Sequence, residues 1–320
     1  MSNPHWTDRP EGGGHFAIWL IRNIALYGGR PFARLFLYPI TLYFYFRRAP
    51  ERQASRAFLA RTLGRPPRMG EVMRHIHRFA GVILDRVFLL ARDDVRQFQL
   101  SIHGLDMLFD TYRQGRGMLL LGSHLGSFEI LRVLAREKPE VKLKVVLDKS
   151  QTPAITELLH ALNPAIGDSV IDASGGGTAI VLGIKDAVEQ GAVVALLGDR
   201  ARQQEPTRRV PFLNESAPFP VAPYLIASVL DTPVLLCFGL YRGGNRYELH
   251  FEHFAERIEI PRSQRTARLD EWVARYAARV EHHARLDPYN WFNFYDFWQS
   301  DRIEPAVIDP AVADGEPRRA

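Results

Sequence analysis

Short apolar runs alternate with amphipathic stretches from residue 117 onward, and that alternation predicts an α/β chain. The runs at Gly117–Gly122, Lys142–Leu147, Val193–Gly198, Pro233–Leu240 and Tyr247–Phe251 are expected as strands. Between them, Phe128–Arg136, Pro153–Leu162, Gly177–Gln190 and Ala217–Val229 are expected as connecting helices. The Tyr247–Phe251 run is polar and apolar by turns, which suits a sheet edge or an antiparallel pair. Leu269, Trp272, Tyr276 and Val280 recur at helical intervals within Thr266–Leu286, so a long helix should cover the sheet. Residues 50–100 read as helical, with a break at Gly64-Arg-Pro-Pro67.

The segment Phe16–Phe46 is crowded with aromatic and aliphatic side chains but interrupted by Arg22, Arg30 and Arg34. Its longest charge-free stretch, Leu35–Phe46, has 12 residues and contains Pro39, against the roughly 20 needed to span a bilayer. Trp19, Tyr27, Tyr38, Tyr43 and Tyr45 suit a headgroup region, and Arg47 and Arg48 suit anionic lipid. The expectation is an N-terminal hydrophobic, membrane-associating helical region, with an internal helical hairpin as the alternative. No cleavable signal peptide is expected, because the first fifteen residues are polar and Gly-rich.

Composition changes this picture only at the margins. A chain of 320 residues that is 46% hydrophobic and 24% charged is a folded protein with one principal unit. We divide it into a hydrophobic segment (1–48), a helical region packed on the core (49–100), an α/β domain (101–300) and a tail (301–320). The one cysteine, Cys237, lies in an apolar run, so disulfides and thiol chemistry have little support. A net charge of +5 favours anionic partners. No zinc-finger or helix-turn-helix pattern appears, and nucleic acid is not an expected partner.

The candidate chemistry centres on Gly122-Ser-His-Leu-Gly-Ser-Phe-Glu129, where an apolar strand runs into a histidine followed five residues later by a glutamate. On a regular helix that spacing turns the chain by about 500°, leaving the two side chains about 140° apart. They meet only if His124 lies in the strand-to-helix turn, which Gly122-Ser123 and Gly126-Ser127 permit. Glu129 would then hold one imidazole nitrogen and leave the other as a general base. The bland alternative is a histidine that caps the helix or bonds to backbone. A second apolar run ends at Asp199-Arg200, and Arg200, Arg202, Arg208 and Arg209 form a net basic patch suited to a phosphate or an acidic carrier surface, or else a solvated loop. Asp148 and Lys149 follow another strand and can face the same crevice, or serve only helix-start electrostatics. Ser174-Gly-Gly-Gly177 lacks Gly-Lys-Ser/Thr and reads as a turn.

The His-x4-Glu pattern resembles the His-x4-Asp/Glu motif of the lysophospholipid acyltransferase superfamily. Together with Gly104, Gly198-Asp-Arg200 and Val210-Pro-Phe-Leu213, the layout over residues 15–300 is similar to the bacterial lipid A biosynthesis (lauroyl/myristoyl) acyltransferase branch. The ending Pro288-Tyr-Asn-Trp-Phe-Asn-Phe-Tyr-Asp-Phe-Trp298 departs from that branch, and resembles an acyltransferase subgroup encoded with aryl-polyene, xanthomonadin or flexirubin-like pigment synthesis. By residue type alone that ending is either core packing or an interfacial belt.

The resemblance implies a glycerolipid acyltransferase-like mixed sheet flanked by helices. It implies transfer of an acyl group from an acyl carrier protein or coenzyme A thioester to a hydroxyl of a lipid or glycolipid. His124 would be the catalytic base and Glu129 its carboxylate. Asp199 and Arg200 would be substrate-binding, with Arg208 and Arg209 beside them. No metal and no cofactor beyond the acyl donor is called for. Expected partners are acyl carrier protein, anionic membrane lipid and the acceptor, at a bacterial inner membrane with the catalytic domain on the cytoplasmic side. The competing readings are a lipid or thioester hydrolase, weakened by the lack of a Gly-x-Ser-x-Gly elbow, and a noncatalytic lipid-binding or assembly protein.

Overall fold

Alternation within the run at Met118 divides the molecule into two layers. Leu119 and Leu121 join the core on one sheet face, with Val194, Leu196, Tyr276 and Trp291. Met118 and Leu120 join the core on the other face, with Val193, Ala195, Leu235 and Phe88. A strand buried on both sides reads as a continuous apolar run, and this is why it was visible in the sequence.

The computed structural model describes residues 29–91, 97–138, 140–148, 169–202 and 205–298. Among the described residues a helical run over 29–35 leads into α1 (Leu37–Arg47), which is followed by α2 (Ala49–Leu63) and α3 (Met69–Ala91). Then follow β1 (Gln99–His103), α4 (Leu105–Tyr112), β2 (Met118–Gly126), α5 (Ile130–Glu137), β3 (Leu143–Leu147), β4 (Val170–Asp172), α6 (Gly177–Glu189) and β5 (Val193–Leu197). The chain continues through β6 (Thr207–Phe212), β7 (Glu215–Pro220), α7 (Ala222–Leu230), β8 (Val234–Gly243), β9 (Arg246–Ala255) and α8 (Arg265–Leu286).

Seven strands form one sheet in the order β1-β9-β8-β2-β5-β3-β4. Within this sheet, among the described residues, only the β8/β9 pair is antiparallel, so the sheet is mixed and flanked by helices, as expected. The alternating strand β9 does lie in an antiparallel pair, but β1 covers its outer side. The expected helix at Pro153–Leu162 lies outside the described residues.

Two local expectations are corrected. Ala217–Val229 is not one helix: β7 runs to Pro220 before α7 begins at Ala222. Pro218 and Pro220 cannot supply the amide donors that a helix interior needs. Strand β7 instead pairs with β6 in a hairpin whose turn residues, Leu213 and Asn214, both have positive φ, 52° and 66°. Strands β1, β4 and β6 were not foreseen: β1 has no fully buried residue and β6 opens on Thr-Arg-Arg, so neither writes an apolar run, and β4 has only three residues.

The membrane-associating N-terminal helix is also corrected. Among the described residues no helix is long and apolar enough to cross a membrane, and this argues against the expected inner-membrane association. Helix α1 has 11 residues, about 16 Å of rise against a hydrocarbon core of about 30 Å. Its Leu37, Thr41 and Tyr45 are buried in the protein itself, and Thr41 Oγ1 lies 3.0 Å from His77 Nδ1 of α3. Of the two arginines expected to meet lipid, Arg48 ion-pairs with Glu51 at 2.5 Å; the arginines that interrupt the apolar run are tied inward, Arg30 donating to Asp85 at 2.7 and 2.8 Å and Arg34 to the Tyr241 hydroxyl at 2.7 Å. Trp19, Arg22 and Tyr27 lie outside the described residues.

Candidate active site

Strands β2 and β5 run parallel with Gly122 opposite Leu197, so the residues just beyond them emerge at the same end of the sheet. In an open α/β sheet, that carboxyl end is where crevices form. Beyond Gly122 the β2/β8 register shifts, and pairing resumes at Gly126 opposite Gly239. Gly126 has φ 64°, and a Cβ there would run into the Gly239 carbonyl oxygen, so only glycine allows the strand to bend here. The bend is held from above: the Tyr276 hydroxyl of α8 donates to the Gly122 carbonyl at 2.7 Å, and Gly198 N donates to the same oxygen at 2.9 Å.

The bend presents His124 to Asp199. The two carboxylate oxygens divide the work: Oδ1 lies 2.7 Å from His124 Nδ1, and Oδ2 accepts the His124 amide at 3.0 Å. Oδ2 also accepts Trp291 Nε1–H at 3.1 Å and Asn293 Nδ2–H at 3.2 Å. Asp199 is fully buried. Burial alone would raise its pKa, but the His124 contacts and the neighbouring Arg200 overcome it and hold the carboxyl at about 2. An ionised carboxylate only accepts, so Nδ1 carries the imidazole proton and Nε2 keeps its lone pair. Among the described residues nothing hydrogen-bonds Nε2. The His124 side chain is 26% exposed, and its pKa lies below the ordinary value, through burial and then the charge of Arg200.

Glu129 is elsewhere engaged. It stands at the start of α5 between Arg86 Nη2 at 2.6 Å and Arg132 Nε at 2.8 Å. Burial opposes its ionisation, and these two arginines more than compensate, so its pKa is lowered. The structure thus pairs His124 with Asp199 rather than with Glu129. His124 lies within β2, ahead of the turn.

The other expected site residues divide. Arg200 is beside the pair: its Nε donates to Asn293 Oδ1 at 2.5 Å and its Nη2 to the Phe292 carbonyl at 2.8 Å, so it braces the C-terminal segment. Asp148 ends up at the same sheet end, ion-paired to Arg202 at 3.1 Å. Arg208 meets Asp270 at 3.4 Å, and Arg209 donates to the Ser216 and Trp298 carbonyls, so both tie the β6/β7 hairpin to its surroundings rather than meeting His124 or Asp199. Lys149 lies outside the described residues.

Trp291 and Asn293 were missed as partners of the site. They belong to the aromatic ending, which zips onto β2 through an isolated bridge between Leu125 and Trp291 and through Phe292 N donating to the His124 carbonyl at 2.9 Å. Trp291 is fully buried, so core packing describes that stretch better than an interfacial belt. The one available signal was polar: two asparagines placed among aromatics.

A catalytic thiol finds no support, since Cys237 is buried and burial pushes its pKa upward. The arrangement is that of an oriented neutral imidazole, able to accept a proton at Nε2 while an ionised carboxylate stabilises the resulting cation. The family model described as bacterial lipid A biosynthesis acyltransferase matches residues 26–300. A search of curated proteins returned no match.

Proposed function

We propose, for a chain that belongs to the bacterial lipid A biosynthesis acyltransferase family, that it moves an acyl group from a carrier-protein or coenzyme A thioester to a hydroxyl of a lipid or glycolipid acceptor, with His124 as base and Asp199 as its orienting carboxylate. The family supports an acyltransferase-type enzyme; the donor, the acceptor and the residue roles are our reading. The observation that carries it is the 2.7 Å contact from His124 Nδ1 to Asp199, which leaves Nε2 as the acceptor atom.

Nε2 takes the proton of the acceptor hydroxyl as that oxygen attacks the thioester carbonyl carbon. The tetrahedral intermediate then collapses with loss of the thiolate, which recovers the proton from the imidazolium. The products are an ester and a free thiol. Asp199 holds the imidazole in the useful tautomer and offsets its charge while it is protonated. Two N–H groups of Arg200 are committed to Phe292 and Asn293, so its part is as a nearby charge and a brace. Glu129 acts through Arg86 and Arg132, whose combined charge with it is positive beside the imidazole.

Acyl transfer measured with purified chain and an acyl-carrier-protein thioester, alongside mass spectrometry of lipid extracts, tests the reading. His124→Ala should abolish both the transfer and the acyl-sized mass difference. Asp199→Asn should lower kcat strongly at nearly unchanged KM. Equal rates for wild type and His124→Ala would overturn the reaction. Wild-type kcat in Asp199→Asn would overturn the role of Asp199.

A further inference from the structure

Outside the His124 cluster, the edge of the sheet brings together three side chains with metal-binding chemistry. Parallel pairing of β1 with β9 sets His103 directly opposite His250, and the two-residue period of β9 puts Glu248 on the same face. The His103 and His250 rings are stacked, 4.6 Å between centroids at 17°. One donor atom from each of the three residues lies within 4.8 Å of the others.

We propose that His103, Glu248 and His250 bind a divalent transition-metal ion of the zinc class. Two imidazoles and one carboxylate form a donor set that suits zinc and leaves a fourth position for water. Donor atoms of a tetrahedral zinc site lie about 3.3 Å apart for bonds near 2.0 Å. The three donor atoms therefore need to close by up to about 1.5 Å, within the reach of side-chain rotation. His103 is exposed and, among the described residues, its ring makes no side-chain hydrogen bond, so the ring turns without breaking one.

The second layer is already built. Arg242 donates to Glu248 Oε2 at 2.7 Å and is anchored in turn by Asp287 at 2.9 Å. His250 Nε2 lies 3.4 Å from that same Oε2. Oε1 accepts no hydrogen bond among the described residues, so one oxygen is oriented by Arg242 while the other is left for the ion. The neighbouring Glu252 is not part of the set, because Arg279 and His283 occupy its two oxygens at 2.7 and 2.8 Å. The positive charge of Arg242 argues for micromolar rather than nanomolar affinity. A bound ion would cross-link β1 to β9 and so stabilise the sheet edge.

The test is calorimetric titration of zinc chloride into the EDTA-treated full chain, prepared without a polyhistidine tag, together with thermal unfolding. One zinc per chain and a rise in Tm are expected. His103→Ala and His250→Ala should each weaken binding by more than about tenfold, whereas His253→Ala, elsewhere on β9 and paired with Glu256 at 3.3 Å, should not. His103→Ala removes an exposed side chain and is expected to fold, which circular dichroism checks. Undiminished affinity in both variants, or neither heat nor Tm shift at millimolar zinc, would overturn the site.

Discussion

At the scale of single residues, the chemistry depends on which carboxylate faces His124. Both candidates are ionised, yet only Asp199, the fully buried one, receives the imidazole proton, while the partly buried Glu129 is held between two arginines. Asp199→Asn keeps the shape and removes the charge, so the imidazolium loses its stabilising partner. A fall in kcat within about 10²–10⁴-fold is expected, measured under saturating thioester. Glu129→Gln should cost less in kcat and more in stability, since the buried Arg132 and the partly buried Arg86 lose their counter-charge. A kcat loss in Glu129→Gln that exceeds the loss in Asp199→Asn would reverse the assignment. The base must be neutral, and the pKa of His124 is lowered below the ordinary value of about 6.5. The rate should therefore rise with pH through a midpoint below about 6.5 and be level across neutrality. A pH–rate profile with its acid limb above neutrality would contradict this.

At the scale of elements, the bend of β2 and the C-terminal segment act together. Gly126 lets β2 leave its register with β8, and Trp291 crosses the gap with its indole N–H on Asp199. Its ring packs on Phe58, Phe212 and Phe297 at centroid distances of 4.9, 5.1 and 4.8 Å. Trp291→Phe preserves much of that packing but removes the N–H, so activity should fall with only a small change in Tm. Trp291→Ala should cost about 3–5 kcal/mol in urea unfolding, the range for emptying a buried aromatic site. The strand and the nearness of His124 to its carboxyl end were legible, because a doubly buried strand writes an uninterrupted apolar run; that His124 sits within β2 rather than in the strand-to-helix turn was not. The role of Trp291 and Asn293 was not, because in sequence they lie more than 160 residues from His124, and no local period records a long-range contact.

At the scale of the whole molecule, the same segment links the helical layer to the sheet. His75 of α3 is fully buried, with Ser55 Oγ at 2.8 Å from Nδ1 and the Trp291 carbonyl at 2.9 Å from Nε2. Burial, reinforced by the Arg78 charge, lowers its pKa from 6.5 to about 4. A histidine depressed in the folded state contributes stability that is fully present above the unfolded value and lost as pH falls toward the folded one. The molecule should therefore lose about 3 kcal/mol between pH 6.5 and pH 4 through this group. Urea unfolding across that window checks it, and His75→Gln should flatten the dependence. Asp287 makes a comparable link: it accepts Arg78 of α3 at 2.7 Å and Arg242 of β8 at 2.9 Å. Asp287→Ala should cost about 1–3 kcal/mol in urea unfolding, because the partly buried Arg78 then lacks its carboxylate while Arg242 keeps Glu248.

By itself the sequence determined the alternation of strands and helices, the long covering helix, the histidine at the end of a core strand and the family resemblance. These follow from burial periodicity and from short motifs, both of which are local. Only the tertiary structure decided that Asp199 rather than Glu129 meets His124, that Pro218 and Pro220 fall in a hairpin, and that Arg30 and Arg34, which interrupt the apolar N-terminal run, find Asp85 and Tyr241. Each of these depends on which distant segment supplies a partner, and a hydrogen bond or ion pair between distant segments leaves no period in the chain.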